Sequence, residues 1–211
     1  MKKELDHFQI GDSYGGNQDW FPSYMMRIGG CGAETACDSS IYFAVHRGLS
    51  RIAPANASAI TKDDYIRFAY GMKPYLSPRM SGIDRLDIYI DGYAKYLRDC
   101  GETRLTMAPL PGTAPFEEAR GAVIRQIDHG YPIPTLILNH QNKLYDEYVW
   151  HWFLNNGYDD SAASFLVKAV TYSEYEWLDL RGLWDTGSRK RGGFVLFRLD
   201  EGCGPDESGS V

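Results

Sequence analysis

A chain of 211 residues has room for one well-cored domain, and a composition 44% hydrophobic and 24% charged is that of a globular protein, not a disordered one. The net charge of −6, with no block of lysine or arginine, argues against a nucleic-acid or anionic-membrane partner. Aromatic residues are the unusual component, 14% with 15 Tyr and 5 Trp, enough for a large core and an aromatic-lined cleft.

The N-terminus, MKKELDHFQIGD, has two lysines but no apolar run behind them, so it does not read as a signal peptide. No apolar stretch approaches membrane-spanning length, and a cytoplasmic location is the default expectation. Residues 1–30 read as irregular, rich in Gly, Asn, Asp and aromatics. From Gly32 to about His46 the small residues Ala33, Ala36, Cys37, Ser40 and Ala44 recur at helical spacing, which predicts a helix packed closely against other elements. Thr61, with Asp64 three residues on, marks a second helix start, and Leu86, Ile90, Tyr93 and Leu97 mark a third helix ending near Gly101.

Beyond Gly101 the texture changes. TRLTMAPL reads as a strand, and Thr113 opens a helix with Phe116, Ala119, Val123 and Ile127 on one face, closed by His129-Gly130. The segments PTLILN, VWHWFLN, SFLVKAVT, EYEWLDL and GGFVLFRL follow as strands, separated by turn signals such as NNGYDD and DTGSRKRGG. Residues 201–211 are expected to fray. Helices first and strands after give an α+β fold, with N-terminal helices packed on a C-terminal antiparallel sheet in a single domain over 1–200.

Four cysteines (Cys31, Cys37, Cys100 and Cys203) show no CxxC spacing, which argues against disulfides and a cysteine-rich zinc site. Cys31 stands directly behind Gly29-Gly30, where the first long helix begins and where a helix dipole lowers a thiol pKa. Cys37 lies nearly two turns on, its sulfur about 120° away around the helix, and reads as a buried small hydrophobe. Among five histidines, His7 lies in the irregular N-terminus, and His46 and His129 read as helix C-terminal residues. His140 follows a strand end and competes with His151 for the role of base. His151 stands inside an apolar strand, where an ionisable ring needs a partner. No histidine spacing suits a metal site. The string GLWDTGS matches the Asp-Thr-Gly pattern of aspartic peptidases, but those need two such aspartates, and the segment reads better as a polar turn.

A cysteine heading an early helix and a histidine on a strand 120 residues later resemble the papain-like cysteine peptidases. The segments CGAETACDSSIYFA and HWFLNNGYDD, with the strand YPIPTLILN between them, are most similar to the compact bacterial branch. That branch includes the peptidase domains that cut double-glycine leaders in bacteriocin exporters. The resemblance implies a papain-like fold over about residues 15–200 and a cysteine peptidase or amide hydrolase, with Cys31 as thiolate nucleophile and His151 as base. The substrate class implied is a peptide or small amide, and no cofactor or metal is implied. Three departures accompany it. In the register of the papain signature proper Glu34 would stand at the nucleophile position, so the register with Cys31 is preferred. The family's oxyanion glutamine falls on Met25, leaving Gln18 as the nearest glutamine. The expected orienting Asp or Asn after the histidine is replaced by Thr171 or Ser173, both placed by strand alternation on one face. Those departures leave two other readings open. One is a catalytically weak papain-like fold that binds a peptide or small ligand; the other is a thiol acyltransferase.

Overall fold

The computed structural model describes residues 1–79, 82–161 and 163–201. Cys203 and nearly all of the tail expected to fray lie outside the described residues. The architecture is α+β, with helices leading and an antiparallel sheet following.

The first thirty residues are less irregular than expected. They hold strand β1 (Lys2–Glu4), a small hairpin of β2 (Gln9–Ile10) and β3 (Ser13–Tyr14), a 3-10 turn (Gln18–Trp20) and helix α1 (Tyr24–Gly29). Helix α2 (Cys31–Arg47) follows and is buried from Cys31 to Phe43. It stops at Gly48, whose left-handed φ of 68° closes the cap onto the Phe43 carbonyl. Helix α3 (Lys62–Met72) begins as expected, with the Thr61 hydroxyl accepting from the Asp64 N–H at 3.2 Å. Helix α4 (Leu86–Asp99) is the third predicted helix. Helix α5 (Phe116–Asp128) starts after Pro115, its N-cap, rather than at Thr113, because the proline ring disfavours helical backbone at the preceding Ala114.

The strands β4 (Leu105–Pro111), β5 (Ile133–Ile137), β6 (His151–Asp159), β7 (Leu166–Thr171), β8 (Glu174–Asp179) and β9 (Gly192–Leu199) pair antiparallel in the order β4-β9-β5-β6-β7-β8. β1 adds to β6 beyond the end of β5. A short helix α6 (Leu180–Trp184) ends the β8 connection and contains the start of GLWDTGS. Asp185 there is exposed at the helix end, and Thr186 is tied into the turn by its contacts with Gln141 and Ser188.

β6 is the central strand. Its side chains are buried on both faces: Trp152 stacks on Tyr89 of α4 at 4.3 Å, and Phe153 packs on Tyr148 at 5.0 Å. The expected turn at NNGYDD does not form at its glycine. Asn155 to Asp159 continue the strand, and a Cβ on Gly157 would lie 3.0 Å from the Lys3 carbonyl, so that glycine serves the close approach of β1. A register shift against β7 between Asn155 and Tyr158 puts one extra residue into β6, a bulge of the kind that bends and further twists its strand. No helix among the described residues is long and apolar enough to cross a membrane.

The approach of β9 to β5 depends on Gly192, which has a φ of 92° and no room for a Cβ against the Leu136 carbonyl oxygen. Gly192→Ala is expected to cost about 3 kcal/mol or more, from backbone strain plus a clash that no side-chain movement relieves. Urea denaturation at constant m-value measures it; a loss under about 1 kcal/mol would show that the two strands separate freely.

Candidate active site

Cys31 is the first residue of α2, with Gly30 as N-cap, so its sulfur lies where the helix meets the sheet. Gly32 makes the approach close: a Cβ there would meet Ile83 at 3.1 Å and Trp152 at 3.6 Å. The backbone N–H of Trp152, the residue after His151, lies close enough to the Cys31 sulfur to favour its thiolate form. Only 4% of Cys31 is exposed, and burial pushes its thiol up to about 11. Cys37 is fully buried on the packed side of α2, as expected of a small hydrophobe.

His151 opens β6 immediately after Trp150, whose φ of 56° turns the chain into the strand. The imidazole Nε2 meets the Thr171 Oγ1 at 2.6 Å, and the ring lies parallel to Tyr172 at 5.0 Å. Burial alone lowers the ring to about 4, so it rests as neutral imidazole. Thr171 therefore has the geometry of an orienting residue, and Ser173 does not. The pair Tyr172-Ser173 forms a two-residue turn with φ of 50° and 67°, which breaks strand alternation one residue after Thr171. Ser173 instead bonds Gly16, its N–H donating to the carbonyl at 3.0 Å.

Gln18 is buried in the 3-10 turn, and its Nε2 donates to the Tyr172 hydroxyl at 3.2 Å. The loop before α1 thus folds back onto the turn that covers His151. His140 is held elsewhere: its Nε2 meets the Gly182 carbonyl at 2.9 Å and its Nδ1 accepts the Asn142 N–H at 2.9 Å. Both of its nitrogens are engaged, which removes it as a competitor for the role of base.

Sequence reasoning missed two neighbours. Tyr172 forms the lid on His151; it falls in the two-residue gap between the strand segments SFLVKAVT and EYEWLDL, and no residue type there announced that its ring would cover the imidazole. Glu34, one turn into α2, is buried with the N–H of Gln18 near its carboxyl. A small cleft of about 150 Å³ beside Thr171 is walled by Tyr148, Tyr172 and Tyr175 and equally by Glu147, Glu174 and Glu176, so its lining is mixed and not simply aromatic. No group of three or more His, Cys, Asp or Glu among the described residues is arranged to hold a metal ion. Compared with known proteins, the chain matches no family model, no curated protein and no solved structure.

The depressed His151 has a thermodynamic consequence with a fixed sign. The unfolded imidazole takes its proton near pH 6.5 and the folded one only near 4, so the unfolded state binds more protons between them. Stability is therefore full above about pH 6.5 and falls as pH drops towards 4, by about 3 kcal/mol from this group. Urea midpoints measured from pH 7 to pH 4 should show this loss, and His151→Gln should show less of it. An identical pH slope in the variant would mean that the ring is solvated.

Proposed function

We propose that the chain is a papain-like thiol hydrolase of amide or peptide bonds, with Cys31 as nucleophile, His151 as base and Thr171 as the residue that fixes the ring. The contact between His151 Nε2 and Thr171 Oγ1, beside the strand start whose Trp152 N–H favours the Cys31 thiolate, carries this reading. With Nε2–H donating to Thr171, the lone pair on Nδ1 is left for the thiol proton. As that proton moves to Nδ1, the sulfur bonds the substrate carbonyl carbon and its π electrons pass to oxygen. The backbone N–H of Cys31 and the Gln18 carboxamide are the donors for that oxyanion. Collapse breaks the C–N bond, the imidazolium proton goes to the leaving amine, and water attacks the thioester by the same route in reverse.

The pair rests as thiol and imidazole, since burial raises one and lowers the other. The thiolate must form during attack instead of waiting preformed, and slow turnover follows. This resting state also favours a second reading, a papain-like module that binds a peptide or small ligand without cleaving it.

Mass spectrometry of the protein after exposure to p-nitrophenyl esters and fluorogenic peptide amides separates the two. An acyl adduct on Cys31 that disappears in Cys31→Ala and His151→Ala supports the hydrolase; folded protein with no adduct from any substrate supports the binding module. Thr171→Asp supplies the charge the hydroxyl lacks and should raise the rate of Cys31 alkylation at neutral pH about tenfold. Ser173→Asp, at the far side of the turn, should leave it unchanged. Equal rates for Thr171→Asp and the parent would remove Thr171 from the mechanism.

A further inference from the structure

Glu34 sits three residues after Cys31 on the first turn of α2 and is only 5% exposed. The Gln18 backbone N–H lies near enough to its carboxyl to favour the charged form, but among the described residues its Oε2 has no hydrogen-bond partner. Gln18 is 6% exposed; its Nε2 is used on Tyr172, and its Oε1 also has no partner. Two buried acceptors on adjoining residues thus lack a donor, a combination that costs about 1–3 kcal/mol per group if left so.

The charges around Glu34 offer no counterion. Asp38 follows one turn along α2, Asp19 comes from the 3-10 turn, and the thiols of Cys31 and Cys37 share its helix. The Tyr65 hydroxyl of α3 donates to Asp38 at 2.6 Å and lies 3.4 Å from the Glu34 backbone carbonyl, and Tyr172 of the β7–β8 turn feels the charge of Glu34. His7, a ring that could carry a positive charge, is directed at Asp38, with Nε2 3.8 Å from that carboxylate. Among the described residues Glu34 makes no ion pair. Burial, with Asp38 and Asp19 beside it, drives the carboxyl well above the usual range. One proton would remove the uncompensated charge and supply the missing donor together.

We propose that Glu34 is a neutral carboxylic acid whose O–H donates to the Gln18 carboxamide oxygen, and that it is the positioning residue holding Gln18 Nε2 towards Tyr172 and Cys31. The protonation state stands on the buried pair alone; its consequence for the oxyanion donor rests on the hydrolase reading above. Because the neutral form is the one that donates, the arrangement is lost as pH rises through the ionisation of Glu34.

Infrared difference spectra of the full chain, parent minus Glu34→Gln, read the proton directly. A protonated-carboxyl C=O band at pH 7 in the parent, absent from the variant, is the expected result. A pair of carboxylate bands instead would overturn the proposal, pointing to a flipped Gln18 amide that donates to an ionised Glu34. Should Glu34→Gln not fold, carbon-13 NMR of glutamate-labelled parent serves: one carboxyl resonance must stay in its neutral position from pH 5 to 7. In the hydrolase assay Glu34→Gln, whose amide can still donate, should stay within about threefold of the parent in kcat and lose the parent's alkaline limb. Glu34→Leu should lose about tenfold in kcat with KM little changed. If the chain cleaves nothing, the infrared result still decides the state of Glu34, so the two failures are told apart. A protonated Glu34 whose replacement by Leu leaves kcat unchanged would overturn the positioning role.

Discussion

A helix buried over most of its length cannot leave its polar groups to water, and the design of this protein follows from that constraint on α2. Between Cys31 and Phe43 the helix carries Glu34, Thr35, Asp38, Ser39 and Ser40, all buried. Three of them solve the problem locally. Thr35, Ser39 and Ser40 each donate a hydroxyl back to the carbonyl four residues earlier at 2.8 Å, a bond the helix itself offers. Small residues on the same helix let it lie close to β6, and Gly32 beside Trp152 sets how close. The Cys31 sulfur comes near the Trp152 backbone N–H of the sheet because nothing larger stands in the way.

The same burial decides the electrostatics of the site. A helix N-terminus stabilises a thiolate by up to about 2 kcal/mol in favourable geometry, close to 1.5 pKa units. Desolvation opposes it and wins here, since the Cys31 thiol is pushed up to about 11. On the histidine side a hydroxyl takes the place where a carboxylate would hold the proton, so nothing offsets the cost of burying an imidazolium. A carboxylate would stabilise the charged ring; Thr171 fixes its orientation without doing so. Orientation and charge stabilisation, combined in one residue in a full triad, are separated here.

What the sequence revealed and what it hid have physical causes. The helix at Cys31 was legible because small residues repeat at its period, and the strand at His151 because apolar residues run through it. Thr171 was legible as one of two hydroxyls at the right distance along the chain. Ser173 was misplaced because alternation holds only inside a strand, and Tyr172-Ser173 carries none of the Asn or Gly that normally announces a turn with positive φ. β1 escaped notice since its exposed KKE has no apolar face; it exists because β6 offers an edge beyond β5. Glu34 has the appearance of an ordinary first-turn acid, which the helix dipole favours anyway. Only burial gives it another meaning, and burial of one position on α2 is not written in its local pattern.

The turn that carries Tyr172 onto His151 has to be held, because two non-glycine residues with positive φ cost about 1–2 kcal/mol each. The N-terminal segment holds it. Tyr14 donates its N–H to the Ser173 carbonyl at 2.9 Å, the Ser173 N–H donates to Gly16 at 3.0 Å, and Gln18 reaches the Tyr172 hydroxyl. Next to this, Lys168 of β7 is buried between Glu4 and the Tyr14 hydroxyl at 2.8 Å each, anchoring the same segment to the sheet. At about 1 kcal/mol per hydrogen bond, these contacts are of the size needed to offset the strain. Residues 1–20 therefore belong to the candidate site although they contribute one side chain to it. They fix the turn, the turn fixes Tyr172, and Tyr172 covers the face of the imidazole that would otherwise meet water.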